Sequence, residues 1–240
     1  MCGRYHNRAD KQRIANAFRV GIPPTFDIAP SYNVAPHTFQ PVIRLDSDTS
    51  GREIVKMRWG LIPFFASDAK VAYSTVNARA ETVASRPIFR ESMKRRRCLV
   101  PATGFYEWQA SGKKTKQPWV IEPVDGDVFA FAGLWDRWKD KTTGLALETY
   151  TIITTDANEL LEPIHDRMPV ILSPQDYERW LDPGEPSHLP LDLLRPYPAE
   201  KLKAWKVSSA VGNVKNNSAE LRLPIDSEPA GLFYRPDGGD

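Results

Sequence analysis

Proline sets the first constraint on this chain. There are 21 prolines in 240 residues, against a usual share of about 5%, and they recur from Pro23 to Pro236. Each fixes φ, removes a backbone donor and clashes inside a helix. A chain punctuated in this way is restricted to short elements joined by many turns. No apolar run reaches the ~18 residues that a membrane-spanning helix needs, and residues 1–6 lack the apolar stretch of a secretory signal. Hydrophobic residues make up 41% and charged residues 26%, a globular balance. With two cysteines, Cys2 and Cys98, and four histidines at no zinc-like spacing, neither a disulfide scaffold nor a metal site is expected. The expectation is a cytoplasmic protein with free thiols. The net charge of +2 does not by itself point to nucleic acid, although it can hide an uneven distribution.

The pattern of apolar residues gives a coarse fold. Residues 7–20 read as a helix, with Ile14, Ala17 and Phe18 on one face and Gly21 past its end. Residues 53–61 alternate as a strand, with Val55, Met57, Trp59 and Leu61 on one side. Pro87 opens a short basic helix running to Arg95. Strands are expected at 98–100, 105–108, 118–121, 128–135, 149–155, 170–172 and 205–208, and short helices at 157–161 and 174–181. No repeat or linker stands out. Many short strands with few helices predict an α+β fold: one domain over 1–226, built on a curled mixed or antiparallel sheet, a partial barrel with short flanking helices. Residues 227–240, rich in Pro, Gly and Asp, are expected to form a flexible tail.

Four segments could carry chemistry. Removal of Met1 would leave Cys2 with a free α-amine beside its thiol. The amine has an ordinary pKa of ~7.7–8.0 and the thiol one of ~8.5, so both are usable nucleophiles near neutrality, and together they can close a five-membered ring on one aldehyde. Val76-Asn77-Ala78-Arg79-Ala80-Glu81 offers an amide that donates and accepts, and a guanidinium that can clamp phosphate; it reads equally as a helix-start turn with a solvated Arg–Glu pair. Glu107 is a single carboxylate between Tyr106 and Trp108. Facing the core it would have a raised pKa suited to proton transfer; facing water it would be an ordinary surface charge. His165 sits among charges in a loop bracketed by Pro163 and Pro169, a natural acid–base group or a loop residue bonded to backbone. His6, His37 and His188 show no obvious partner. Basic and aromatic residues interleave through Arg4, Tyr5, Trp59, Phe65, Arg79, Arg86, Phe89, Arg90, Trp108 and Arg167. That mixture suits a single-strand groove, or a core of aromatics with solvated arginines. The run Lys94-Arg95-Arg96-Arg97 reads as a solvated helix end.

Taken in order, several segments carry a resemblance. They are Met1-Cys2-Gly3-Arg4, Asn33-Val34-Ala35-Pro36, Trp59-Gly60-Leu61-Ile62-Pro63, Asn77-Ala78-Arg79-Ala80-Glu81, Arg97-Cys98-Leu99-Val100-Pro101, Gly104-Phe105-Tyr106-Glu107-Trp108, Phe131-Ala132-Gly133-Leu134-Trp135, Thr154-Thr155-Asp156-Ala157 and His165-Asp166-Arg167-Met168-Pro169. The chain resembles the SRAP family, the SOS response-associated peptidase-like proteins that protect abasic sites in single-stranded DNA. The resemblance implies that Cys2, freed of Met1, attacks the ring-opened aldehyde of an abasic deoxyribose and closes a thiazolidine, a stable DNA–protein crosslink. It implies Glu107 as general base and acid, His165 in sugar-ring opening and Schiff-base stabilisation, and Asn77 in holding the Cys2 terminus or the sugar. Arg4, Arg79, Arg86 and Arg167 would bind phosphates, Thr155 would line the pocket, and Phe65 and Trp108 would contact DNA. Strand cleavage by β-elimination and autoproteolytic loss of Met1 are side activities it suggests. The partner implied is single-stranded DNA with abasic sites at single-strand/double-strand junctions, bound by a monomer without a cofactor, at the nucleoid in a bacterium. Phe65 stands where family members often carry Trp, and a protein without the long tail of some larger relatives is expected. Two other readings stay open: an N-terminal-Cys amidotransferase-like hydrolase, and a non-catalytic single-strand-binding module.

Overall fold

The computed structural model describes residues 2–46, 48–49, 51–112, 115–184 and 188–225; the expected tail at 227–240 lies outside them. The strands are β1 (Tyr5–Asn7), β2 (Ser31–Val34), β3 (Phe39–Leu45), β4 (Arg52–Trp59), β5 (Asn77–Arg79), β6 (Arg97–Ala102), β7 (Gly104–Ser111), β8 (Thr115–Pro123), β9 (Phe129–Lys139), β10 (Ala146–Asp156), β11 (Arg167–Pro169), β12 (Ile171–Leu172) and β13 (Leu202–Lys206). The helices are α1 (Lys11–Phe18), α2 (Pro87–Arg95) and α3 (Tyr177–Leu181), with several single turns of 3-10 helix. The fold is α+β.

Five strands close on themselves. β4 pairs with β3, β3 with β6, β6 with β9 and β9 with β10, all antiparallel, and β10 returns to β4 in a short parallel pairing of Thr149 and Tyr150 with Arg58 and Trp59. Strands β5, β11 and β12 extend the edges of this barrel. A second antiparallel sheet, in the order β13-β8-β7-β1-β2, lies against it. Alternation along β6 and β9 explains the layering. Leu99, Ala130, Ala132 and Leu134 face a core shared with α1, α2 and α3. Cys98, Val100, Phe129 and Phe131 face the other way, into a core shared with the second sheet. Both faces are covered, so these strands read as continuous apolar runs. Burying one such side chain as completely as Phe131 stabilises the fold by roughly 1.5–3 kcal/mol.

α1 and α3 are shorter than the apolar pattern alone suggests. α1 starts only after Asp10, whose carboxylate accepts from the Arg13 N–H at 2.8 Å; Asn7, expected in that helix, belongs to β1. α2 matches its expected span, with Pro87 in its first turn. The run after it is not a solvated helix end throughout: Arg97 is buried and donates to Trp180 O and Met93 O, both at 2.6 Å, joining the ends of α2 and α3. Residues 157–161 form no helix and the turns run over 159–164, because the Asn158 side chain takes the Leu161 N–H at 3.0 Å and Pro163 follows at once. Among the described residues no helix is long and apolar enough to cross a membrane.

Candidate active site

β1 and β7 bring the N-terminus to Glu107. Tyr5 pairs with Phe105 and His6 with Gly104; carrying that antiparallel register two residues further places Gly3 across from Glu107. Gly104 allows the approach, since a Cβ there would collide with the His6 ring. Cys2 is completely buried, in the core that holds Tyr5, Trp59 and Tyr150. Its carbonyl accepts from Asn77 Nδ2 at 2.8 Å. Asn77 is held in place because β5 runs parallel to β10, with Asn77 opposite Ile152. The sequence also allowed a helix-start turn at this segment; it forms a strand, and Glu81 pairs with Arg167, Nη1 to Oε1 at 2.7 Å.

Burial decides the electrostatics. Glu107 is 2% exposed, so of the two orientations open from the sequence it takes the inward one. Burial pushes its carboxyl up to about 7. The Cys2 thiol is pushed well above its ordinary value by burial and then by the Glu107 carboxylate, which keeps it protonated at neutral pH. His165 is held below the ordinary imidazole value by burial, with Asp166 acting in the opposite sense. Its Nδ1 accepts from the Arg167 N–H at 3.0 Å and lies 2.8 Å from Asp166 Oδ1. The first contact suits a neutral ring and the second an imidazolium, so the ring has a partner in either state. The loop bearing His165 is tied to β7 by Gln109, which shares a strand face with Glu107: its Nε2 donates to Pro163 O at 2.9 Å and its Oε1 accepts from Trp119 Nε1 at 3.1 Å. Only the two-residue spacing from Glu107 could have singled out Gln109.

The other expected site residues separate into three places. Arg79, Thr155 and Arg167 gather at the end of β10. Arg79 is exposed, Thr155 is buried, and Arg167 donates to Glu81, Asp156 and Thr154 O. Phe65 and Arg86 line one groove of about 520 Å³, together with Pro63, Val71 and Ile88. A second, of about 640 Å³, lies beyond Phe65 and carries Arg90, Arg95 and Arg96. Gly60, at φ +114°, ends β4 and turns the chain toward these grooves. Arg4 and Trp108 lie on the opposite face of the second sheet from Phe105 and Glu107. There Arg4 Nη1 donates to Asn33 Oδ1 and Val211 O, each at 2.8 Å, with its guanidinium over the Trp108 ring at 5.9 Å. Tyr5, Trp59 and Phe89 are buried core and present no stacking face; among the described residues the exposed rings are Phe39, Phe64, Phe65 and Tyr73, of which Phe64 and Phe65 border these grooves.

His6 has partners that the sequence did not reveal. It is buried with Nδ1 2.9 Å from Thr103 Oγ1 and Nε2 3.3 Å from Glu122 Oε1, and Glu122 also accepts from both Arg222 and Arg8. His37 packs edge-on against Tyr73.

The family model described as SOS response associated peptidase (SRAP) matches residues 1–214. The chain belongs to the SRAP family. Among similar SRAP relatives, the Bacillus subtilis protein named abasic site processing protein YoqW is 44% identical over 224 residues, covering 92% of this chain and 98% of its own. The Xenopus tropicalis abasic site processing protein HMCES is 36% identical over 225 residues, covering 82% of this chain and 66% of its own. A crystal structure of a Bacteroides thetaiotaomicron protein superposes with a TM-score of 0.82 at 31% identity, covering 93% of this chain and 99% of that one. The SRAP fold therefore extends over most of the chain.

Proposed function

We propose that this SRAP protein recognises abasic sites in single-stranded DNA and captures them covalently through Cys2 after loss of Met1. The observation that carries the reading is the convergence on one N-terminal residue of a buried thiol, an amide held on its carbonyl, and a carboxyl with a pKa of about 7. The names of the relatives, abasic site processing proteins at 36–44% identity, supply the substrate.

The chemistry is redox-neutral and needs no cofactor. The Cys2 amine attacks C1′ of the ring-opened sugar, the carbinolamine loses water, and a Schiff base remains. The thiol then adds to the same carbon and gives up its proton, closing a thiazolidine with net loss of one water. A carboxyl titrating near 7 can take a proton from the amine and return one to the departing hydroxyl. A thiol kept protonated by burial waits until the Schiff base is beside it. An amidotransferase of this kind activates its thiol with its own α-amine and has no need of Glu107 or His165, which weighs against the hydrolase reading. His165, tied to the Glu107 strand through Gln109, assists ring opening and steadies the Schiff base, and Thr155 lines the pocket. Arg79 and Arg86, both exposed, meet phosphates directly. Arg4 and Arg167 already donate to protein acceptors, so their part is to hold the N-terminal segment and the His165 loop as much as to meet DNA. Phe65 stacks on a base or a duplex end at a junction. Trp108, stacked under Arg4, supports that arginine and contacts DNA from the second sheet. Cleavage by β-elimination and self-removal of Met1 are side activities of the same groups, in a monomeric cytoplasmic protein acting at the nucleoid.

The test uses Met1-free protein and a single-stranded oligonucleotide with one abasic site, resolved on a denaturing gel. Wild type should form a stoichiometric adduct. Cys2→Ala should form none while keeping salt-sensitive affinity for the DNA; an adduct of equal yield from this variant would overturn the assignment.

A further inference from the structure

Asp136 is buried, at 2% exposure, on β9, far from Cys2 in sequence and absent from the chemistry above. Oδ1 accepts from the N–H of its chain neighbour Arg137 at 2.8 Å, and its other partners come from the aromatic turn, from α2 and from just beyond α2. Oδ2 accepts from the Phe64 N–H at 3.0 Å, in the turn that displays Phe64 and Phe65. It also lies 3.5 Å from Ser92 Oγ on α2, and Oδ1 is 3.3 Å from Arg96 Nε just beyond α2. Arg96 in turn lies over the Phe64 ring at 5.8 Å. The Phe64–Phe65 turn and α2 are the two walls of both grooves: Phe65 faces Arg86, Pro87 and Ile88 in one, and Arg90 and Arg95 in the other. The rings of Phe64 and Phe65 meet edge to face at 5.3 Å and 88°, so fixing the Phe64 backbone also fixes the Phe65 face. A buried carboxylate with charged and backbone donors is a stiff joint, because losing a partner leaves a desolvated group unsatisfied.

We infer that Asp136 is a positioning residue for nucleic-acid binding, setting the separation between the aromatic turn and the arginine-bearing helix α2. It acts through Phe64 and Arg96 and touches neither DNA nor the reacting atoms. Arg96 is the other half of the joint, and the phosphates fall to Arg86, Arg90 and Arg95. This rests on the DNA-capture reading of the site.

The experiment measures the single-turnover rate of adduct formation against protein concentration for wild type, Asp136→Asn, Arg96→Gln and the double variant, at two salt concentrations. Each single variant should raise the half-saturating concentration on the order of tenfold, as for loss of a hydrogen bond to a charged group, with the rate at saturation and the salt slope unchanged. The double variant should be no worse than the singles, because both break one joint. Additive effects, a changed salt slope for Arg96→Gln, or a fall in the saturating rate alone would overturn the inference. If Asp136→Asn does not fold, Arg96→Gln decides: a shallower salt slope identifies a phosphate contact and removes the joint. Wild type forming no adduct at all would instead refute the capture reading itself.

Discussion

Replacing Glu107 by Gln should make the protein more stable at alkaline pH while impairing its chemistry. The carboxyl, 2% exposed, holds its proton to about 7 where an ordinary glutamate releases it at 4.5. Between these values the folded chain binds a proton that the unfolded chain has lost. The folded state therefore keeps its full relative stability below pH 4.5 and loses it as pH rises through 7. Above pH 7 the ionised carboxylate costs the fold about 3 kcal/mol, at ~1.36 kcal/mol for each tenfold change in proton affinity. Glutamine copies the shape of the protonated acid and removes the penalty. Urea unfolding at pH 8 should show Glu107→Gln more stable than wild type by up to about 3 kcal/mol, with the gap closing toward pH 4.5. Equal stability at both pH values, or a less stable variant at pH 8, would refute the argument that burial raises this carboxyl. In the adduct assay the same variant should be slow, with DNA affinity little changed.

The remaining predictions test other links. Phe65→Ala should weaken binding of single-stranded DNA by roughly 1–3 kcal/mol, the worth of one stacked base, measured by fluorescence anisotropy, and Phe65→Trp should strengthen it modestly; no change in either would remove Phe65 from the interface. Asn77→Ala removes the 2.8 Å bond to the Cys2 carbonyl and should slow adduct formation on the order of tenfold with DNA affinity retained, which single-turnover kinetics would show. Burial pushes the Glu122 carboxyl up, but His6 and Arg222 outweigh it and hold it down to about 2. Its stabilisation is present above pH 4.5 and is lost as pH falls toward 2, so Glu122→Gln should flatten the acid limb of the unfolding curve; an unchanged limb would show that the cluster does not stabilise the ionised form.

Local signals made part of this legible. α2 could be read from Pro87 and the basic last turn, and β6 and β9 from apolar runs bounded by turns. β1 could not, because Tyr5, His6 and Asn7 are all buried and a strand covered on both faces shows no alternation. β3 was hidden by Pro41, and β5 is only three residues long, defined by its pairing with β10. In the site, the residue types of Cys2, Glu107 and His165 carried the chemistry. Whether Glu107 faced inward depended on the register between β1 and β7, which no local pattern sets. The supporting contacts, Gln109 to Pro163 and Asp136 to Phe64, join residues 54 and 72 apart in the chain and leave no trace in spacing. His6 looked partnerless for the same reason: Glu122 and Arg222 reach it only in the folded sheet.

The central claim is that one residue, Cys2, supplies both nucleophiles. Intact-protein mass spectrometry before and after mixing with single-stranded DNA containing one abasic site tests it most directly. The account predicts a chain lacking Met1, then an adduct equal to protein plus DNA less one water, with fragments placing the DNA on Cys2. A Met1-free chain that forms no adduct, or an adduct mapped to a lysine, would contradict it.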